Sequence, residues 1–218
     1  MILNINGTNK ELNGNFQDKH LSELLKEISR SHLDQNQIIT QVKLNGKEIS
    51  LDEEKNLGKF CDLKIESLEI KSDTPYNLAR TYLTDAKEYL KNLVTTLESL
   101  AHDFRGWELE EAGRKFTHVL DIIDWFYKII PNLGSFLGIR YDKIIHKGKT
   151  LNQKLKYFEM TLEVMADAQE RTDFIHLADV IEYELLPFFQ EWQEIIPVLE
   201  KTAEEIVKVN NIENRCLN

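Results

Sequence analysis

The stretch DFIHLADVIEYELLPFFQEW, at positions 173–192, places a histidine and several carboxylates beside a cluster of aromatic residues. Histidine and carboxylate side chains transfer protons and bind metal ions, so they form a site when they point the same way. Apolar residues recur here at intervals of four and three, which predicts an amphipathic helix. The predicted buried stripe is Phe174, Ala178, Ile181, Leu185, Phe188, Trp192, Ile195 and Leu199.

On this helix His176, Asp179 and Tyr183 point away from the buried stripe. A metal site inside a helical bundle needs inward-pointing ligands from several helices, so the acidic stretch is better interpreted as a solvated face. Glu182 borders the stripe, which predicts partial burial. We expect an ion pair between Glu182 and an Arg or Lys of a neighbouring helix, and a catalytic role is the alternative.

Three further site motifs can be checked directly. Glu-x-x-His and His-Glu-x-x-His do not occur in the sequence. A phosphate-binding loop ending in Gly148-Lys149-Thr150 needs a glycine at position 143, which is Lys143, so these residues instead predict a turn leading to a helix cap. The sequence therefore predicts no catalytic residues, no cofactor and no metal site.

Charge and composition limit the possible partners. The net charge of −10 disfavours nucleic acid, which needs a basic surface. No apolar run approaches a membrane span and the N-terminus lacks the pattern of a signal peptide, which predicts a cytoplasmic protein with no membrane contact. Residues 140–156 contain six Lys or Arg and one Asp, whereas residues 159–200 contain eleven Asp or Glu and one Arg. These two segments can pair between protomers or within one bundle.

The first third of the chain has the mixed pattern of a small α+β domain. The turn NGTN separates two strands, the second at 12–16, and a helix follows around 21–28. The turn Asn45-Gly46 joins two more strands. The apolar alternation of the last strand, DLKIESLEIK, changes phase, which predicts a bulge near Ser67.

The segment QVKLNGKEISLDEEKNLGKFCDLKIESLEIKS resembles the second half of ubiquitin in the positions of its turn and apolar residues. The resemblance implies a β-grasp domain over residues 1–72. Ubiquitin-like modifiers end in a diglycine, whereas this strand continues into KSDTPYN. The resemblance therefore implies a scaffold or docking module and provides no functional residue.

The remaining chain has a helical period throughout. Asp73 or Thr74 as a cap, with Pro75 in the first turn, predicts the start of the first helix. Pro131 predicts the end of the second helix, and Pro187 a kink in the fourth. The apolar phase slips at 171–173, which predicts a break between helices three and four, and a short helix is expected around 139–146. The predicted fold is α+β, with the β-grasp domain followed by an antiparallel four-helix bundle at 73–210 and a flexible tail at 211–218.

Aromatic residues outside the predicted stripes indicate an interaction surface. Trp125 and Tyr183 lie off the buried positions, and Phe189 widens the apolar stripe of the fourth helix. With Glu182 they form the candidate surface, because exposed aromatic clusters are enriched at protein interfaces. The alternative is that another element of the same chain covers them.

We expect a non-enzymatic cytoplasmic adaptor or assembly protein that binds protein partners and forms a homo-oligomer such as a homodimer. One alternative is a ligand-binding protein or enzyme with a pocket between the β-grasp domain and the bundle, using Glu182, the 140–149 loop, and His118 or His146. Another is an export or assembly chaperone that holds partner helices.

Overall fold

A computed structural model describes residues 2–11, 20–34, 36–49 and 65–216, with side chains described as far as residue 208. The chain divides into two compact units, Met1–Leu78 and Ala79–Asn218. The first carries a β-sheet and the second is mainly helical. The α+β class predicted from the sequence is confirmed.

The described residues of the first unit form a five-stranded sheet with a helix packed on one face. Its elements are β1 (Ile2–Ile5), β2 (Thr8–Lys10), α1 (Leu21–His32), β3 (Ile38–Leu44), β4 (Lys47–Ile49) and β5 (Ser67–Asp73). The strand order is β2-β1-β5-β3-β4, and only the β1–β5 pair is parallel. Alternate strand residues therefore reach the same apolar cluster as the inner face of α1.

Two asparagine-glycine turns join neighbouring strands of the sheet: Asn6-Gly7 joins β1 to β2, and Asn45-Gly46 joins β3 to β4. Asn45 and Gly46 have positive φ angles of 48° and 79°, as a tight hairpin turn requires. The Asn45 side-chain oxygen also accepts hydrogen bonds from the backbone N–H groups of Glu66 and Ser67, at 2.9 and 3.0 Å. The predicted turn thus also positions the start of β5.

One local prediction for this sheet needs correction, and another falls on residues outside the described part of the chain. The strand after the first turn is Thr8–Lys10, and the predicted positions 12–16 lie outside the described residues. The register of β5 is regular at Ser67, and the irregularity lies in β3 between Ile39 and Gln41. The predicted bulge was therefore placed on the wrong strand.

The second unit consists of long helices and one small hairpin. Its elements are α2 (Pro75–Arg105), α3 (Leu109–Leu137), β6 (Ile145–His146), β7 (Lys149–Thr150), α4 (Leu151–Glu170), α5 (Phe174–Val180), a π-helical turn (Ile181–Leu185) and α6 (Leu186–Cys216). The helix continues to Cys216 where a flexible tail at 211–218 was predicted, and residues 217–218 lie outside the described part. No helix in the described part of the chain has the length and apolar character to span a membrane.

The helices pack as an antiparallel bundle in which the fourth position is filled by α5, the π-helical turn and α6 together. The contacts that give the directions are Asp103–Lys115 and Tyr89–Trp125 for α2 and α3, Tyr157–Glu184 and Lys154–Glu191 for α4 and the last segment, and Arg105–Asp179 and Leu90–Gln193 for α2 and the last segment. In each pair a later residue of one helix meets an earlier residue of the other. Four antiparallel positions result.

The prediction that α3 ends at Pro131 is wrong. Pro131 lies inside the helix, which continues to Leu137 and ends at Gly138 in the left-handed conformation. The buried Tyr141 hydroxyl donates a 2.6 Å hydrogen bond to the Ile130 carbonyl and so packs the following loop against this turn. The predicted short helix at 139–146 is also wrong, because the chain forms turns and the β6–β7 hairpin there.

The predicted kink in the fourth helix is a π-helical turn directly before Pro187. The Leu186 N–H donates to the Ile181 carbonyl, five residues back, which inserts one extra residue into the helix. Pro187 has no N–H to donate, so the wider turn lies where the regular hydrogen-bond ladder is interrupted. The buried stripe accordingly shows two successive intervals of four, Ile181 to Leu185 to Phe189.

Candidate interaction surface

Helix α4 is fixed at both ends by local hydrogen bonds. At its start the Thr150 hydroxyl accepts from the Gln153 N–H at 3.2 Å, and the Gln153 side chain accepts from the Thr150 N–H at 2.9 Å. This capping box confirms the cap predicted at Gly148-Lys149-Thr150. At the other end Thr172 has a φ of 55° and the Asp173 carboxylate caps α5. The predicted break at 171–173 is therefore confirmed.

The buried side of α4 contains two polar residues. Its buried positions are Leu151, Lys154, Phe158, Thr161, Met165 and Ala168. The Lys154 ammonium lies 2.7 Å from a Glu191 carboxylate oxygen of α6, and the Lys154 side chain is only 5% exposed. The Thr161 hydroxyl donates to the backbone carbonyl of Tyr157 at 3.1 Å. These partners satisfy the polar groups that the helix buries.

The opposite side of α4 exposes apolar residues. Tyr157, Met160 and Val164 are 42%, 55% and 44% exposed. Because an α-helix turns by about 100° per residue, Tyr157 and Val164 point within about 60° of the direction of Met160 around the helix axis. We call Tyr157, Met160 and Val164 the α4 face. Charged residues border it, with Lys156 towards the N-terminus and Glu163 towards the C-terminus.

Tyrosines of the neighbouring elements border the α4 face on both sides. The Tyr127 hydroxyl of α3 donates to the Glu159 carboxylate at 3.2 Å, and the Tyr157 hydroxyl donates to the Glu184 carboxylate of the π-helical turn. These carboxylates raise the pKa of both tyrosines, because they stabilise the protonated phenol. Tyr183 is 64% exposed and lines the same cleft as Tyr157.

This cleft lies between α4 and the π-helical turn and has a volume of 240 Å³. Lys147, Lys149 and Lys154 line it together with Tyr157 and Tyr183. The Lys149 ammonium lies 5.4 Å from the centre of the Tyr157 ring, within the range of a cation–π contact. Glu184 and Glu191 line it as well, so the cleft combines cationic, acidic and aromatic groups.

The basic and acidic segments pair within this unit. Lys147 lies 2.7 Å and His146 3.2 Å from the Glu194 carboxylate, in addition to the Lys154–Glu191 pair. Hydrogen bonding from Lys147 lowers the pKa of Glu194. These ion pairs join the basic and acidic segments within one bundle.

Glu182 has a partner of the kind that the sequence predicted. The Arg105 guanidinium at the end of α2 binds the Glu182 carboxylate and lies 2.7 Å from Asp179. Its carbon lies 5.8 Å from the centre of the Tyr183 ring. Hydrogen bonds to Asp179 and Glu182 raise the pKa of Arg105. These contacts tie the π-helical turn to α2.

The two remaining predicted surface residues have different surroundings. Trp125 is half-buried, makes an edge-on contact with Tyr89 at 4.9 Å, and lines a shallow groove between α2 and α3 that also includes His118. Phe189 is 0% exposed and contacts the rings of Phe126 and Phe158. Phe189 therefore cannot belong to an exposed surface, because its ring packs inside the aromatic core of the bundle.

The other residues that the sequence indicated as candidate site residues lie at different places in the helical unit and do not form one site. Glu182 pairs with Arg105, His146 with Glu194, and His118 lines the α2–α3 groove. His176 is exposed, as predicted. Among the described residues, no group of three or more His, Cys, Asp or Glu side chains has a geometry suited to a metal ion.

Sequence reasoning missed the α4 face and the burial of Lys154. The spacing of the apolar residues in this helix, Leu151, Leu155, Phe158, Leu162 and Met165, favours burial of both Leu155 and Leu162. The structure instead buries Lys154 and Thr161 and leaves both leucines at the boundary. The apolar spacing of Tyr157, Met160 and Val164 is a signal that could have identified the outer face.

Comparison with known proteins identifies the helical unit. Residues 81–195, from α2 into α6, match the family described as "Domain of unknown function (DUF8042)". The chain belongs to this family. It is also 24% identical over 181 residues to an "Uncharacterized protein" of Treponema pallidum (strain Nichols), covering 80% of this chain and 86% of that protein. This similarity extends beyond the DUF8042 segment, because the alignment is longer. No solved structure matches the chain significantly.

Proposed function

We propose that this DUF8042 protein is a non-enzymatic adaptor or assembly protein that self-associates and uses the α4 face as its docking surface. The observation that carries this proposal is the exposure of Tyr157, Met160 and Val164 on the outer side of one well-capped helix. Burial of such side chains against a partner is favourable by about 25 cal/mol per Å² of apolar surface. Tyrosine and methionine are also enriched in protein interfaces.

The first unit has a supporting role in this proposal. Its described elements follow the order expected from the ubiquitin resemblance, with a parallel β1–β5 pair in the middle of the sheet. We assign it the role of a docking module. The helical unit then supplies the surface for assembly.

Two valine variants test the proposal with a matched control. Val164 in the α4 face and Val198 on α6 are 44% and 43% exposed. Tagged full-length wild type, Val164→Glu and Val198→Glu are expressed in the native cell, cross-linked and recovered. We expect Val164→Glu to lose cross-linked protein, either a second copy or another chain, while Val198→Glu retains it. Equal recovery from all three proteins would remove the α4 face as the docking surface.

Ligand binding is a second candidate function, favoured by the cationic and aromatic cleft. Lys149 has no carboxylate within salt-bridge distance in the described part of the chain, so its ammonium is available to an anion. Thermal unfolding with inorganic phosphate or small dicarboxylates tests this function. Stabilisation that Lys149→Ala removes would support it, and an unchanged unfolding temperature would dismiss it.

A further inference from the structure

The two charged residues beside the α4 face have opposite signs: the cation lies before Met160 in the sequence and the anion lies after it. Lys156 lies four residues before Met160, and Glu163 lies three residues after it. On a helix of about 100° per residue, both charges fall on the same side of Met160, and Tyr157 and Val164 both fall on the other side. The face therefore has one charged edge and one apolar edge.

A second copy of α4 in the antiparallel direction complements this pattern. A two-fold axis perpendicular to the helix keeps each edge on its own side and reverses the chain direction. With the axis at Met160, Lys156 comes within about 1.5 Å along the helix axis of the position of Glu163 in the other copy. Tyr157 has the same small offset from Val164 of the other copy, so unlike charges meet on one edge and apolar groups on the other.

We propose that the α4 face binds a second copy of this chain as an antiparallel two-fold pair of α4 helices centred on Met160. The inference rests on the proposed function and specifies its partner and geometry. A stable protein interface buries about 800 Å² on each partner, more than one stripe of a single helix supplies. Tyr127 and Tyr183 extend the face on either side, and we expect a reversible, concentration-dependent dimer.

Charge exchange tests this geometry directly. In Lys156→Glu, both of the opposite-charge pairs on the charged edge become pairs of glutamates, and in Glu163→Lys both become pairs of lysines. We expect each single variant to weaken dimerisation at least tenfold, as measured by sedimentation velocity over a range of concentrations. The double variant Lys156→Glu/Glu163→Lys restores both opposite-charge pairs and is expected to return to within threefold of wild type. This rescue also shows that the single variants fail at the interface rather than in folding.

A cysteine on the axis provides an independent measurement. In a background with Cys61→Ser and Cys216→Ser, Met160→Cys places two thiols next to each other at the two-fold axis. We expect mild oxidation to produce a covalent dimer of Met160→Cys and to leave the matched Val198→Cys monomeric. Equal cross-linking of the two would overturn the inference.

The outcomes separate this inference from the function on which it rests. If wild type stays at its monomer mass of 25.5 kDa at all concentrations, or if the charge exchange gives no rescue, the antiparallel dimer is wrong. A wild type that is monomeric at all concentrations also removes self-association from the proposed function. The α4 face remains the docking surface for another partner if Val164→Glu still loses another cross-linked protein. If Val164→Glu loses neither a second copy nor another chain, both proposals fail.

Discussion

The buried ion pair between Lys154 and Glu191 allows a sharp test of how the bundle is held together. The Lys154 side chain is 5% exposed and that of Glu191 is 21% exposed, so removal of the carboxylate leaves an ammonium in the core without its counter-charge. Breaking a buried pair in this way costs about 3–5 kcal/mol. Because Glu191 keeps some access to water, we expect Glu191→Leu to lose about 3 kcal/mol, near the lower limit of that range.

The reverse single variant has a smaller effect. Lys154→Met replaces the ammonium with an apolar chain of similar length, and the remaining Glu191 carboxylate can turn to solvent or towards His146, 3.9 Å away. We expect a loss of about 1 kcal/mol. The double variant Lys154→Met/Glu191→Leu removes both charges and is expected to lie within about 1 kcal/mol of wild type, because apolar replacements of buried ion pairs are often neutral.

Urea unfolding followed by tryptophan fluorescence measures these differences in the helical unit, because the three tryptophans are at positions 107, 125 and 192. A loss of 3 kcal/mol also lowers the melting temperature by about 10 °C for a unit of this size. The reasoning is refuted if Glu191→Leu costs less than about 1 kcal/mol, or if the double variant is as unstable as Glu191→Leu.

Three further predictions concern the α3 loop and the π-helical turn. Gly134→Ala places a methyl group 3.0 Å from a backbone carbonyl and 3.2 Å from the Tyr141 ring, and we expect a loss of about 1–3 kcal/mol in urea unfolding. The helical control Gly113→Ala has open space and is expected to gain about 0.5–1 kcal/mol. Burial raises the pKa of Tyr141, so stability that it contributes is present below the ordinary phenol pKa and is lost as pH rises above it. Tyr141→Phe, which loses a buried hydrogen bond, is expected to be about 1 kcal/mol less stable at neutral pH, and urea unfolding at rising alkaline pH should show the difference shrinking. Deletion of Tyr183 removes the extra residue of the turn and should preserve helical circular dichroism, whereas deletion of Glu163 rotates half of α4 by about 100° and should unfold the unit.

Each of these predictions has a result that contradicts it. Equal effects of the two glycine substitutions would show that the contact of Gly134 with the loop has no energetic weight. A stability difference for Tyr141→Phe that is constant from neutral to alkaline pH would remove the argument from burial. If both deletions unfold the protein alike, the π-helical turn is not a tolerated one-residue insertion.

Local signals in the sequence predicted the element boundaries that depend on neighbouring residues. The Thr74-Pro75 start of α2, the Thr150 cap of α4 and the break before Asp173 all arise from hydrogen bonds or backbone preferences within a few residues. The Asn45-Gly46 turn was predictable for the same reason. These features need no knowledge of the tertiary structure.

Features that depend on distant partners were not predictable in the same way. Pro131 weakens only its own turn, and α3 continues because Leu133 and Leu137 are buried beyond it. The orientation of α4 depends on Glu191, which provides the counter-charge for Lys154 from another helix. Periodicity within α4 alone favours Leu155 over Lys154, and the acidic partner on α6 reverses that preference.

The π-helical turn explains why three adjacent residues of the opening motif have different roles. Ile181 and Leu185 are both buried, so the residues between them must cover the outer side of one widened turn. Glu182 is held towards α2 by Arg105, and Glu184 is held towards α4 by Tyr157. Tyr183 lies between these two ties and extends into solvent. An exposed aromatic ring on a backbone fixed from both sides loses little conformational entropy when it binds, which favours Tyr183 as the part of the turn that contacts a partner beside the α4 face.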